Sequence, residues 1–122
     1  MKSASFHILR VGMAITFLWI GILIFREPES WGLYLQPWAA NLLPTSLESA
    51  MIGTAIFDIV VGFLFLVDIA TWIAALFGSI HLIIVLTVVG INAITVRDIG
   101  LLTGTFALLL QAIPEHILGR FK

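Results

Sequence analysis

No cysteine occurs among the 122 residues, which excludes disulfides, thiolate metal sites and any thiol–disulfide relay carried by this chain alone. A chain without thiols suits any redox compartment and points to none. Charge is scarce as well: Asp, Glu, Lys and Arg make up 11% of the residues, against about 25% in an ordinary soluble domain. With a formal net charge of −1 there is no basic footprint, so nucleic acid is not an expected partner. The sequence also lacks a Walker loop, a dinucleotide-binding glycine pattern and a cluster of metal ligands.

What is present instead is apolar, 61% of the chain. A soluble fold of this size leaves too much surface exposed to hide that fraction. Lipid is the solvent that tolerates it. The length fits one transmembrane domain over residues 1–122. The expected fold is all-α: an integral membrane bundle of four transmembrane helices, with a short interfacial helical segment between spans one and two. Lys2 and Arg10 precede an apolar run, as in a signal peptide. Yet no small-residue cleavage site follows, and the run continues to Phe25 before Arg26 and Glu27, so it reads as a retained first span.

A helix needs about 20 residues to cross the ~30 Å hydrocarbon core. The first span is expected over about 6–25, with Arg10 snorkelling to the near interface. A capping-box pattern, Thr45-Ser-Leu-Glu48, follows Pro44 and opens the second, over about 46–67. A polar break from Asp68 to Thr71 separates it from the third, over about 72–91. A second capping-box pattern, Thr95-Val-Arg-Asp98, opens the fourth, over about 95–113, with Pro114 marking its end. Without its polar head this last segment, Ile99 to Ile113, is only ~22 Å long, too short to span alone.

Four spans put both termini on one side. Lys2, Arg10, Arg120 and Lys122 lie there, against Arg26 and Arg97 opposite, and the positive-inside rule then predicts cytoplasmic termini in a plasma-membrane protein. In the connection from Arg26 to Pro44, Trp31, Tyr34, Leu35 and Trp38 recur at helical spacing as an aromatic stripe suited to the headgroup layer. Pro37 predicts two short pieces rather than one helix. The segment reads either as an interfacial anchor or as a lid over a site between the helices. Gly100 with Gly104, and Ala70, Ala74 and Gly78, form ridges of small residues where helices are expected to pack.

An acid in mid-span costs roughly 2.5–3.5 kcal/mol on insertion scales, so it marks a functional position by default. Asp58 is one such residue, and His81 is its counterpart on the next span. Both lie ~17 Å from the turn between those spans, so an antiparallel hairpin sets them at matched depth. Matched depth leaves helix rotation open. If they meet, they form an ion pair or share a proton, and either state can hydrogen-bond a quinone carbonyl or carry a proton. The alternative is interhelical glue. Arg97 reads as a membrane-edge cation for an anionic substrate or for Glu48, and Asp98 as a favourable charge at a helix N-terminus. His7 and His116 read as interfacial rather than as haem ligands, since no partner motif accompanies them.

The order of features resembles the DoxX-like family of small membrane proteins. It is carried by Leu9-Arg10-Val-Gly12 with Phe17-Leu-Trp19-Ile-Gly21, then Asp58-Ile-Val-Val-Gly62, then Val96-Arg97-Asp98-Ile-Gly100-Leu-Leu. The resemblance implies a four-helix membrane fold and an association with quinone-linked oxidoreductases or terminal oxidase complexes, with Asp58, Arg97 and Asp98 as family-like polar positions. The expected function is therefore an accessory or quinone-linked subunit of a membrane redox system. Asp58 and His81 would handle protons, and Arg97, Asp98, Trp19, Trp31, Tyr34 and Trp38 would bind the ligand. The expected cofactor is a quinone, with nothing bound covalently. The expected partners are the lipid bilayer and either further copies of the chain or a larger membrane complex. The alternatives are a non-catalytic assembly subunit and a proton-coupled transporter of a small acid.

Overall fold

The computed structural model describes residues 2–118, and every regular element among them is helical. Arg120 and Lys122, which enter the charge count above, lie outside the described residues. Ser3 accepts a hydrogen bond from the Phe6 amide at 3.1 Å and caps α1, Ala4–Arg26. Two short helices follow, α2 over Pro28–Gly32 and α3 over Pro37–Asn41, each with proline in its first turn, where a missing amide proton costs nothing. Ser46, not Thr45, caps α4, Leu47–Val67: its hydroxyl accepts from the Ser49 amide at 3.1 Å. The first capping-box reading was thus one residue early.

A tight turn with Asp68 and Ala70 both at positive φ leads into α5, Thr71–Val89. Then come α6, Val96–Ala112, and a final turn α7, Glu115–Leu118. Thr95 precedes α6 but makes no capping bond to it, so the second capping box does not form. Its hydroxyl turns back instead, accepting from the Asn92 amide at 2.9 Å and donating to the Gly90 carbonyl.

Three helices, α1, α4 and α5, are long and apolar enough to cross a membrane, and the large apolar side chains left exposed on them point to a lipid bilayer as their surroundings. The fourth expected span is shorter than its sequence promised. α6 has 17 residues, ~25 Å of helix. Ile113 leaves the helical region (φ −62°, ψ 134°) because the residue before a proline is pushed into extended backbone, which stops the helix at Ala112.

The helices associate as two pairs. α1 lies along α4 and α5 along α6, while the contacts between the pairs are sparse. The first pair is held by backbone approach. A Cβ on Gly62 would stand 2.8 Å from the Leu18 nitrogen and 3.0 Å from the Ala14 oxygen; one on Gly21 would stand 2.9 Å from the Ala55 oxygen. Arg10 secures one end of this pair. Its guanidinium donates to the Phe65 and Leu66 carbonyls at 2.6 and 2.9 Å, capping the C-terminus of α4, and lies 3.9 Å from Asp68. Such charge-assisted bonds are roughly twice as strong as neutral ones, and the cation also answers the helix dipole.

On α6 the glycine ridge divides. Gly104 faces Met13 of α1, whereas a Cβ on Gly100 would meet open space. On α5, Ala74 and Gly78 are buried, but Ala70 is exposed in the turn. The close-packed core, with Phe17 edge-on to Phe65 at 5.6 Å and Leu108 fully buried, fills the half of the bundle nearer the Asp68 turn.

Gly90, at φ +83°, ends α5 where an added Cβ would also meet the Gln36 side-chain nitrogen at 2.6 Å. Gly90→Ala is expected to lower stability by about 1–3 kcal/mol, since its backbone (φ +83°, ψ 176°) lies in a region that essentially only glycine occupies. Gly53→Ala, where nothing lies within 4 Å, should instead be neutral or up to about 1 kcal/mol stabilising. Melting midpoints of the two variants in detergent separate the effects.

Candidate functional site

The half of the bundle away from the core is hollow. A cavity of about 640 Å³ runs between the two helix pairs, within the ~300–1,000 Å³ common for small-molecule sites. α1 contributes Phe17, Ile20 and Ile24 to its wall, α4 Met51 and Thr54, and α5 Leu82, Val85 and Val88, so the lining is predominantly apolar. The α2–α3 segment closes one end through Trp31, Tyr34, Leu35 and Ala39.

Asp58 and His81 stand where this hollow meets the core. The imidazole Nε2 is 3.4 Å from the Asp58 Oδ1, and Asp58 is 4% exposed. The matched depth read from the sequence therefore becomes a contact. Helix rotation, which spacing leaves open, is set by the glycines that fix α4 against α1 and by the burial of Ala74, Ala75 and Gly78 on α5. Phe57 backs the imidazole, ring centroids 4.7 Å apart.

Arg97 and Asp98, in the first turn of α6, line the same cavity. Asp98 is half-buried and within Coulombic reach of both Asp58 and His81. Among the described residues no carboxylate lies within ion-pair distance of Arg97; the contact with Glu48 weighed above is not made.

The aromatic set divides. Trp31 and Tyr34 line the cavity, their rings 5.8 Å apart, with Leu35 beside them. Trp38 does not: it is 48% exposed and donates to the Gln36 side chain at 2.8 Å. The stripe loses its phase because α2 ends at Gly32 and α3 restarts at Pro37, so helical spacing does not carry across. Trp19 likewise points away from the cavity, 67% exposed on the outer face of α1. Both tryptophans thus stand apart from the ligand set in which sequence placed them. His7 accepts from the Arg10 side chain at 3.3 Å, and His116 is exposed; they share no site.

Two elements of the site carry no sequence signal strong enough to find them. Gln36 ties the α2–α3 segment to the end of α5, its backbone amide donating to the Val88 carbonyl at 2.9 Å. Thr95, 4% exposed, sits on the wall and braces the α5–α6 loop. Sequence singles out Thr95 only as a helix cap, a role it does not take here.

Comparison of the chain with protein-family models, with curated proteins and with solved structures found no match.

Proposed function

We propose that the chain is a DoxX-like membrane protein that binds a quinone headgroup, as an accessory or quinone-linked subunit of a membrane redox system. The observation that carries this reading is the Asp58–His81 contact on the wall of a largely apolar cavity. A ring with a hydrocarbon tail needs such a place: apolar walls for ring and tail, and a polar pair that can exchange a hydrogen bond or a proton with a ring oxygen. The volume accepts a one- or two-ring headgroup with part of its tail. A bound quinone supplies the two-electron chemistry; this chain's residues bind it, orient it and hold the proton. In this reading α6 serves as the fourth span, with Arg97 and Asp98 near the outer boundary and both termini in the cytoplasm.

Protein purified from membranes in mild detergent is expected to carry extractable quinone well above the level of protein-free micelles. Asp58→Asn should lower that content by about tenfold, the equivalent of one charged hydrogen bond. Quinone no higher than in the micelle control, in wild type and variant alike, would sink the reading.

A second reading, an assembly subunit, draws on Gly12, Gly53 and Gly100, each of which leaves open space where a partner helix would fit closely. It predicts co-purification with a larger membrane protein, or a size in detergent greater than one chain. A strictly monomeric particle without partners would count against it.

A further inference from the structure

We propose that residues 33–46 form a flap over one end of the cavity, hinged on α4 and latched to α5 by one backbone hydrogen bond. The inference goes beyond the quinone reading and needs only the cavity, whatever occupies it. It starts from where the segment is tied. α2 packs on α4, and Gly32 sits so close to it that an added Cβ would stand 2.7 Å from the Leu47 side chain. The other end of the segment runs directly into α4 at Leu47. Both ends are therefore fixed to the first helix pair, at the head of the same helix.

The middle of the segment reaches across to the second pair. The Gln36 amide donates to the Val88 carbonyl at 2.9 Å, and among the described residues this is the only hydrogen bond between the flap and α5 or α6. Val88 lies in the last turn of α5, where carbonyls lack a partner within the helix, so the Gln36 amide fills a gap that water can also fill. The Gln36 side chain lies over Gly90, which has no Cβ to displace it, and accepts from the Trp38 indole at 2.8 Å. α3 packs only sparsely against the other helices and buries Ala39 alone. Breaking one bond thus frees the stretch that carries Tyr34, Leu35, Ala39 and Leu43 off the cavity wall.

The opposite end offers no such route. There the packed core, with Phe17 against Phe65 and Leu108 fully buried, separates the Asp58–His81 pair from the Asp68 turn. Water and protons reach the pair past the flap.

The lack of cysteine lets a single introduced thiol report on access. Met51→Cys places one on the cavity wall, and Glu115→Cys places one at an exposed position beyond α6 as a control. Each is to be labelled in the detergent-solubilised full chain with a charged methanethiosulfonate, whose rate at a gated thiol follows the open population. Gln36 has φ −65°, already the value that proline imposes, so Gln36→Pro deletes the latch amide with little change in its backbone. It is expected to raise the Met51→Cys rate about fivefold, the worth of one net hydrogen bond, and to leave the Glu115→Cys rate unchanged. Gln36→Ala keeps the amide and should stay within about twofold of the parent. Equal Met51→Cys rates in Gln36→Pro and Gln36→Ala overturn the flap, as does an equal rise at both thiols, which reports general loosening. Should the proline variant fail to fold, amide hydrogen exchange of the wild type decides. The Ala39 and Ala40 amides are expected to exchange at least about tenfold faster than those of Trp31 and Leu33 on the docked α2, and exchange in step overturns the flap. No ligand enters either measurement, so failure here leaves the quinone reading standing.

Discussion

Gly62→Leu is expected to be among the most damaging single substitutions in the chain, lowering stability by about 3 kcal/mol or more. The reason is what the new side chain would meet. At Gly62 the obstacles include the Leu18 nitrogen and the Ala14 oxygen, backbone atoms of α1 that cannot swing aside as a side-chain tip can. The helices would have to separate along their closest approach, and packing at small residues supplies much of the association energy in lipid. Gly100→Leu is the internal control: it adds the same side chain on a helix where nothing lies within 4 Å, and should stay within about 0.5 kcal/mol of wild type. Reversible unfolding of both variants in mixed micelles provides the comparison. A G62L protein as stable as G100L would show that the α1–α4 approach is not what holds this half together.

The second large effect concerns the buried pair, and its signature is non-additivity. His81→Leu leaves Asp58 in an apolar wall without its neighbour, and breaking a buried pair in this way costs about 3–5 kcal/mol. Replacing both residues, Asp58→Leu with His81→Leu, removes the stranded group and should restore most of that loss, since an apolar replacement of a buried pair is often neutral or better. The coupling energy from a double-mutant cycle is then expected above about 1.5 kcal/mol, well beyond the few tenths found for independent sites. Additive losses would mean that the two side chains face the cavity separately. The cycle also bears on function, because the doubly apolar protein should fold and yet bind no ring ligand.

These two effects differ in how visibly the sequence announces them. Asp58 and His81 stand out because charge is rare in apolar helices, and equal spacing from a common turn gives their depth. Gly21 and Gly62 close two of the segments that carry the family resemblance, but nothing in those segments announces close packing. Each lies among apolar residues in a chain with 10 glycines, and only the packing of α1 on α4 separates them from Gly12 and Gly53, which touch nothing. The helices themselves were legible from composition and length, because lipid solvation acts on every residue of a span. Their ends were not. Capping is decided by one hydroxyl at one position, and Ser46 and Thr45 are equally suited on paper. The fourth helix was overestimated for a related reason: the residues before Pro114 are apolar enough to span, but Ile113 must be extended. In the connection between α1 and α4, aromatic spacing placed Trp31 and Tyr34 at the site and misplaced Trp38, because a helical period means nothing across the non-helical residues Leu33–Gln36.

The sparse contact between the two helix pairs has a mechanical consequence. The molecule resembles a pair of covers joined at a spine, the three-residue turn Asp68–Ala70, with the hollow between the free edges. Parting those edges breaks few contacts, whereas separating α1 from α4 breaks the tightest interface present, so the softest fluctuation of the fold is the one that widens the hollow. A tailed molecule already dissolved in the hydrocarbon could then slide in sideways between the covers, ring first, without its tail ever being drawn through water.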